Sequence, residues 1–322
     1  MARATPDWQN RIGRRLRLRD LHILSTVVQW GSMAKAASHL AMSQPAVSEA
    51  IANLEAALGV RLLDRTPRGV EPTLYASALL KRGLVVFDEL RQGIKEIEFL
   101  ADPTAGEVRI GCPESLAAGF MPGVIDQFSR NYPRVLVHVV NAQTATQEFR
   151  ELRERTVDLL LGRILKPVTD DEIDAEVLCQ DEYFVVVGSR SPWARRRKIA
   201  LADLLDEPWI FLPPNNVFAS FTAQAFSAQG LELPRARVTS FSAAIRTHLL
   251  ATGRFLTIMA GSMLRDNAER WDLKALPIAL DTMTVPLAIF KLKHRTVSPV
   301  VQKFVEHLRA AAKSMAAPGQ RT

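Results

Sequence analysis

The sequence predicts an α/β protein with an all-α, winged N-terminal part, followed by one long helix and an α/β region. Three observations predict this fold class. Apolar residues recur at helical spacing through residues 18–58. A helical pattern with no internal proline runs from Pro72 to about Leu100, and apolar runs then alternate with helical patterns. With 322 residues, 48% hydrophobic and 23% charged, the chain has the composition of a globular protein of two or three domains, not of a disordered or fibrous one.

Basic charge is concentrated at the start of the chain. The first 70 residues hold ten Lys and Arg against five Asp and Glu, whereas the whole chain holds 41 and 34. This distribution is compatible with an anionic partner of the N-terminal part, although charge alone does not establish one.

Several classes of protein are excluded by missing patterns. Cys112 and Cys179 lie far apart, which rules out a disulfide framework or a zinc ribbon. The first twenty residues lack the apolar core of a secretory signal, and no run of 18 apolar residues occurs, so we expect a cytoplasmic protein with no membrane contact. Phosphate-loop, dinucleotide and zinc-protease motifs are missing and the six histidines are scattered, so we expect no cofactor, no metal, no catalytic residues and no enzyme activity.

The N-terminal helices are predicted from their spacing and caps. The first ends at Trp30-Gly31, and Ser32 and Ser43 stand where the second and third helices need N-caps. Pro45 fits the first turn of the third helix, which ends before Gly59. Three helices joined by tight turns, with small residues that permit close crossing, describe a helix-turn-helix.

A β-wing is predicted directly after these helices. Residues 60–73 read as two short extended runs joined by a turn at 67–69, and the segment carries Arg61, Arg65 and Arg68.

The residues of this region resemble those of the LysR-type transcriptional regulators. The similarity runs without a gap through about residues 18–80. It rests on Ala34-x-x-Ala37-x-x-Leu40, Ser43-Gln-Pro-Ala-Val-Ser48, Ile51-x-x-Leu54-Glu55, Leu58-Gly59-Val60-x-Leu62-Leu63-x-Arg65 and Thr73. One departure is Ser77, where the family usually has Gly, and it can shift the start of the next helix.

The resemblance implies binding to double-stranded DNA. Its recognition helix would begin with Ser43 and place that end at base edges, where Gln44 can pair with adenine, Pro45 and Ala46 can touch a thymine methyl group, and Ser48 can reach a base or a phosphate. Contacts to phosphate are expected from Ser32, Lys35, Arg65, Arg68 and Thr73.

Each of these residues also has a purely structural interpretation. Ser32 and Ser43 can be helix caps alone, and Arg65 and Arg68 can be solvated surface charges. The basic leader from Arg11 to Arg19 either contacts the DNA backbone or is a partly disordered start.

The long helix has the spacing of a coiled-coil seam. Apolar residues and glycines alternate by four and three, at Leu79, Gly83, Val86, Leu90, Gly93, Ile97 and Leu100. Such a band predicts pairing with a second copy of the chain; packing against its own C-terminal region is the alternative. We divide this part into the winged domain 1–75, the linker helix 76–100 and a hinge at 101–106.

The C-terminal region is predicted as a parallel sheet with helices on both faces. Its apolar runs are 107–112, 135–140, 157–164, 184–188, 209–212, 237–241, 255–259 and 284–292, with a helical pattern at 147–155 and a final helix opening at Ser298-Pro299. The resemblance implies a two-lobed effector-binding domain at 107–313, similar to periplasmic binding proteins. One lobe would comprise 107–180 with 281–313, the other 181–280, and 314–322 would form a tail. The region looks most like regulators linked to sugar-binding proteins.

A small-molecule effector, an organic acid or a sugar, is expected where strand ends of the two lobes meet. The candidate residues follow predicted strands and are Ser115, Thr144, Arg163, Asn215, Phe218 and Ser240. Alternatively, Ser115 is a plain N-cap, Arg163 forms a structural ion pair, and Thr144 and Asn215 make local turns. Cys112 is either a redox-active thiol or a small buried hydrophobe.

The sequence therefore favours a ligand-responsive transcriptional regulator that forms dimers or tetramers, with RNA polymerase as a further candidate partner. A solute-binding protein or enzyme with a helical leader is one rival, and a sequence-blind architectural DNA binder is the other. A solute-binding protein or enzyme needs a secretion signal or a set of catalytic residues. An architectural DNA binder needs no domain with a ligand pocket.

Overall fold

A computed structural model of the chain describes residues 16–66, 69–214, 217–280 and 283–316. The chain forms two compact units, residues 1–91 and 92–322. The predicted fold class is confirmed in both: helices and a wing make the first unit, and a two-lobed α/β domain makes the second. Among the described helices, none is both long and apolar enough to cross a lipid bilayer.

The first unit is a winged helix-turn-helix. Its apolar core joins all three helices and the wing, and it includes Leu24, Val27, Val47 and Leu54, each fully buried. The elements are α1 Leu18–Trp30, α2 Met33–His39, α3 Gln44–Leu58, β1 Leu63–Thr66 and the antiparallel β2 Gly69–Pro72.

The wing is tied to the turn between α1 and α2. The backbone N–H of Val70 donates to the carbonyl oxygen of Gly31 at 2.9 Å. Gly69 approaches the same carbonyl so closely that a Cβ atom would collide with it, and its φ of +134° is one that L side chains rarely adopt. Glycine is therefore required where the wing meets the helices.

The long helix α4 spans Leu74–Ala101. It begins directly after Thr73, whose Oγ1 accepts from the N–H of Ala76 at 3.2 Å, and Ser77 lies within its first turn without displacing that start. The predicted hinge at 101–106 is too long. Ala105 already pairs with Arg134 of the neighbouring strand, so residues 102–104 alone separate helix from strand.

The second unit contains two lobes, each with its own apolar core. The first lobe consists of β3 Ala105–Cys112, α5 Glu114–Ala118, α6 Met121–Asn131, β4 Arg134–Asn141, α7 Arg150–Arg153, β5 Leu159–Arg163, the first part of β6 Ile173–Gly188, β11 Thr284–Leu292 and α11 Pro299–Ala316. The second lobe consists of the rest of β6, β7 Trp209–Phe211, α8 Val217–Ser227, β8 Ala236–Thr239, α9 Ala243–Ala251, β9 Leu256–Ala260, α10 Gly261–Leu264 and β10 Leu273–Ala275.

The sheet is mixed, which corrects the prediction of a parallel one. The strand order is β4-β3-β5-β11-β6-β9-β7-β8, and β10 also pairs with β6. β11 runs antiparallel to β5 and β6 because the chain returns through it from the second lobe into the first. Strand β6 passes between the lobes: up to Glu182 it pairs with β11, and from Tyr183 it pairs with β9.

Two elements of the second unit differ in length from their predictions. The predicted strand at 184–188 is the end of β6, whose earlier half mixes exposed, half-buried and buried residues and therefore lacks an apolar run. The predicted helix at 147–155 shrinks to the four residues of α7, because Gln147 and Phe149 have φ values of 59° and 48° that no α-helix accommodates.

Candidate functional site

The first turn of α3 is presented at the surface of the first unit. Gln44 and Pro45 are exposed, Ala46 and Ser48 are half-buried, and Val47 beneath them is fully buried in the core. The buried valine fixes the turn while the residues on either side of it face outward. This is the arrangement that a recognition helix needs to present its N-terminal residues to base edges.

The two predicted cap serines do cap helices. Ser43 Oγ accepts from the N–H of Ala46 at 3.3 Å, and Ser32 Oγ accepts from the N–H of Lys35 at 3.4 Å. A hydroxyl has a second lone pair and its own proton, so capping leaves each serine able to bind a phosphate oxygen. The Lys35 side chain is exposed beside Ser32.

Side chains fix the base of the wing. Glu55 Oε1 accepts from the N–H groups of Leu62 at 2.7 Å and Leu63 at 3.3 Å. Thr73 Oγ1 donates to the carbonyl oxygen of Arg61 at 2.9 Å while it also caps α4. Thr73 therefore has a clear structural role in addition to the predicted phosphate contact.

One predicted phosphate contact, Arg65, lies on a strand of the wing. Arg65 stands in the middle of β1, where its backbone pairs with Val70 of β2. Arg68 lies outside the described residues.

The second unit holds a cavity of about 110 Å³ between its lobes. Four of the six predicted effector residues line it: Ser115, Thr144, Arg163 and Phe218. The other lining residues are Pro113, Glu114, Asn141, Gln143, Ala145, Leu165, Tyr183, Leu212, Phe241, Arg246, Ile258, Met259, Ala260 and Met263. Asn215 lies outside the described residues.

The prediction that Ser240 lines the cavity is wrong, because the residue after it lines the cavity instead. Ser240 Oγ accepts from the N–H of Ser242 at 3.1 Å, a local turn that directs the hydroxyl along the backbone. Phe241 lines the cavity at the place that was predicted for Ser240.

Arg163 sits at the centre of a buried polar network that joins the lobes. Its Nε donates to Asp181 Oδ2 at 2.9 Å, Nη1 to Ser115 Oγ at 3.1 Å, and Nη2 to Ser262 Oγ at 2.9 Å. Ser262 in turn donates to Asp181 through its N–H at 2.9 Å and its hydroxyl at 2.7 Å. The structural ion pair anticipated for Arg163 is therefore formed. Ser115 is no N-cap, since Pro113 occupies that position.

Aromatic rings form the wall next to this network. The ring of Tyr183 lies 4.8 Å from that of Phe218, and the Arg163 guanidinium lies 5.6 Å from the Tyr183 ring centroid. Burial raises the pKa of Tyr183 far above its usual value, so its hydroxyl stays protonated at neutral pH.

Thr144 enters the cavity wall because Gly162 leaves room for it. A Cβ atom on Gly162 would lie 2.5 Å from Thr144 Cβ, well inside contact distance. Thr144 is 2% exposed.

Two further hydrogen bonds connect the lobes. Glu114 Oε1 of the first lobe accepts from the N–H of Ala243, at the start of α9 in the second, at 2.7 Å. Asn267 Nδ2 of the second lobe donates to the carbonyl oxygen of Gly119 at 3.2 Å. The described cleft is thus held closed by contacts between protein groups.

Arg246 is the main cavity residue that the sequence-based prediction missed. The prediction considered residues that follow strands, whereas Arg246 lies within α9. A signal was present in the sequence: Ala243, Arg246, Thr247 and Leu250 follow the i, i+3, i+4, i+7 spacing of a buried helix face, and the structure buries all four. An arginine is almost never fully buried unless it is paired, so its place on this face is unusual.

Cys112 belongs to the apolar core of the first lobe and is fully buried. Burial raises the pKa of its thiol to about 12, although the nearby Arg163 opposes the rise. This environment favours the interpretation of Cys112 as a buried hydrophobe over a reactive thiol. Across the described ranges, no cluster of His, Cys, Asp and Glu is arranged to hold a metal ion.

Comparison with known protein families accounts for both units. Residues 18–77 match the family described as bacterial regulatory helix-turn-helix protein, lysR family. Residues 101–313 match the LysR substrate binding domain. The two matches follow each other along the chain and cover the winged unit and the two-lobed domain.

Individual relatives agree with these matches. The chain is 28% identical to the HTH-type transcriptional regulator GbpR of Azospirillum brasilense over 92% of this chain and 87% of the relative, and 26% identical to the transcriptional dual regulator GltC of Bacillus subtilis over 81% and 86%. Among solved structures, full-length CbnR in complex with its target DNA has a TM-score of 0.63 at 24% identity, covering 92% of this chain and 100% of that one. A full-length variant of OxyR from Pseudomonas aeruginosa has a TM-score of 0.65 at 18% identity, covering 95% and 98%.

The solved structures share the fold, and the matched domains carry the function. The chain therefore belongs to the LysR family of bacterial regulators, as a non-enzymatic transcriptional regulator with a DNA-binding helix-turn-helix and an effector-binding domain.

Proposed function

We propose that the first turn of α3 reads base edges in the major groove, with Gln44 pairing to adenine and Pro45 and Ala46 against a thymine methyl group. The exposure of this turn above the buried Val47 is the observation that carries the proposal. Ser43 and Ser48 flank this contact. Ser32, Lys35, Arg65, Arg68 and Thr73 hold the phosphates and set the register of the protein on the duplex.

The test compares two variants on one DNA site. Gln44→Ala is expected to relax the preference for one base pair by about 1–3 kcal/mol, because a bidentate contact to that base is lost. Arg65→Ala is expected to weaken binding evenly across sequences and to flatten the salt dependence by about one unit of slope. Arg130→Ala, an exposed charge of the second unit, is the matched control and leaves both quantities unchanged. A base-specific loss from Arg65→Ala contradicts these roles.

Self-association is proposed to run along α4. The side chains of Val86, Leu90, Ile94, Ile97 and Leu100 are all exposed in the single chain. Pairing of two such helices would bury this band, and further contacts between second units would make a tetramer. Sedimentation of wild type and of Leu90→Glu tests this pairing. The variant is expected to sediment with a lower oligomer mass, and an unchanged mass argues against pairing along α4.

Regulation is proposed to follow from an effector in the cavity between the lobes, contacted by Ser115, Thr144, Arg163 and Phe218. The location of these residues on both lobes supports this, because a ligand that touches both stabilises one lobe arrangement over another. Asn215 remains a candidate for the same wall. A regulator of this kind acts in the cytoplasm, where RNA polymerase is its natural further partner.

A footprint on the DNA next to its own gene tests the whole proposal. Protection of a defined segment that changes when an effector is added is the expected result. Equal retardation of specific and scrambled duplexes at near-cellular ionic strength would exclude sequence-specific binding.

A further inference from the structure

Arg246 is a buried cation that the protein leaves without an anionic partner. The residue is 5% exposed, and within the described part of the chain no carboxylate lies within 4.0 Å of its guanidinium. Its Nε is buried without a hydrogen-bond partner, and Nη2 reaches Met263 Sδ at 4.0 Å. Burial lowers the pKa of Arg246, and Glu114 opposes this from a longer distance.

The charge of Arg246 is not neutralised by an ion pair with a neighbouring carboxylate of the described chain. Glu114, the carboxylate with the strongest influence on Arg246, already accepts the N–H of Ala243 at 2.7 Å. Taking a charge out of water costs several kcal/mol unless a partner compensates it. Because Arg246 lines the cavity between the lobes, a bound anion can supply that partner.

The second cavity arginine offers no comparable site. Arg163 uses Nε, Nη1 and Nη2 on Asp181, Ser115 and Ser262. An incoming anion would have to displace bonds that hold the lobes together. Arg246 loses nothing by accepting an anion, since its described contacts include no oxygen.

The rest of the wall determines what the anion is attached to. Phe218, Phe241, Ile258, Met259 and Met263 present an apolar surface around the charge. Asn141, Gln143, Ser115 and Thr144 add amide and hydroxyl groups from the first lobe. A sugar could bond these groups, but it would also place hydroxyls against the apolar second-lobe wall and would leave Arg246 uncompensated.

We propose that the effector is a small carboxylic acid with an apolar body, whose carboxylate pairs with Arg246. The enclosed part of the cavity, about 110 Å³, is smaller than the roughly 150 Å³ that holds one benzene molecule, but the cavity opens to solvent, so part of a ligand can extend beyond the enclosed space. An acid of about five to ten non-hydrogen atoms therefore fits, with its carboxylate on the guanidinium and its body against the aromatic and aliphatic wall. This identification of the ligand class rests on the proposed effector site.

The test uses thermal unfolding and calorimetric titration of the full chain with benzoate, phenylacetate and isovalerate. Benzamide is the neutral match to benzoate, and galactose and glucose represent sugars. We expect an acid of the panel to raise the melting temperature, benzamide and the sugars to leave it unchanged, and Arg246→Met to weaken the acid by about tenfold or more. Arg237→Met, an exposed arginine of the same lobe, is the control that keeps wild-type affinity.

A second readout separates recognition from a structural role. Arg246→Met removes an uncompensated buried charge, so the unliganded variant is expected to melt higher than wild type. A lower melting temperature would show that Arg246 holds the fold together, and would overturn the assignment.

The other outcomes also decide the question. If no acid of the panel binds, or if benzamide binds as well as benzoate, the ligand class is wrong. If a sugar binds and the acids do not, the effector site stands and the assignment to Arg246 fails. Gel retardation of the neighbouring promoter by wild type and by Arg246→Met shows separately whether DNA binding is intact. If the wild type does not retard this DNA, the proposed DNA-binding function is refuted instead of the ligand class.

Discussion

Replacing Asp181 by Asn tests how the two lobes are held together. Asp181 is 1% exposed and accepts from Arg163 Nε, from the N–H of Ser262 and from the Ser262 hydroxyl. Asn keeps the size of the side chain but removes the charge. Arg163, itself 8% exposed, is then left as a buried cation without its carboxylate.

The expected cost is about 3–5 kcal/mol, the range for breaking a buried ion pair by removing one partner. A second change distinguishes the charge from the hydrogen bonds. Arg163→Met in the Asp181→Asn background removes the stranded cation, so we expect part of the loss to be recovered, with a coupling energy of about 2 kcal/mol.

Urea unfolding followed by tryptophan fluorescence measures both quantities. Of the five tryptophans, Trp193, Trp209 and Trp271 lie in the second unit, and Trp209 is fully buried there. The signal therefore reports mainly on the unit that contains the pair. A loss below about 1 kcal/mol for Asp181→Asn, or strictly additive effects in the double variant, would refute the reasoning.

Three further predictions address single positions. Gly162→Ala is expected to lose about 1–3 kcal/mol of stability in urea because its Cβ collides with the side chain of Thr144, and adding Thr144→Gly, which also removes the Cβ of residue 144, should restore part of it. Ala41 has a φ of 51°, so Ala41→Gly is expected to raise the calorimetric melting temperature of the winged unit by relieving about 1 kcal/mol of strain. The Cys112 thiol has its pKa raised from 9.0 to about 12, so the folded state holds its proton longer than the unfolded state does. Its contribution to stability is complete below pH 9 and is lost as pH rises from 9 towards 12; rapid alkylation of Cys112 in the native protein at pH 8 would contradict this.

The sequence predicted local features best. The caps at Ser32 and Ser43, the glycine ends of α1 and α3, and the wing all depend on residues close together in the chain, and the structure forms each of them. Strand direction in the second unit depends on a return of the chain over more than a hundred residues, so no local pattern distinguished the antiparallel β11 from the parallel strands β3, β4 and β5.

The residues of the effector site also differ in whether local sequence could predict them. Ser115, Thr144 and Arg163 were found because they lie at or after the ends of strands, and strand ends of open α/β sheets converge. Arg246 and Tyr183 lie inside a helix and a strand, where a sequence shows an unusual buried residue but not what it faces. Arg163 is satisfied by Asp181, 18 residues away in sequence, and by Ser262, 99 residues away, so no local pattern shows that it is satisfied while Arg246 is not.

The connection of α4 to the second unit suggests how a ligand in the cleft is sensed. Lys95 of α4 lies 3.8 Å from Asp158 and 3.9 Å from Glu107, and Phe99 packs on the first-lobe core. All of these partners belong to the first lobe, so the end of α4 follows that lobe, while Arg246 moves with the second. An effector that bridges the lobes therefore changes the position of one lobe relative to the helix end, provided that it binds one arrangement more tightly. On the proposed assignment, an anion paired with Arg246 of the second lobe would supply this difference by also contacting Ser115 and Thr144 of the first lobe.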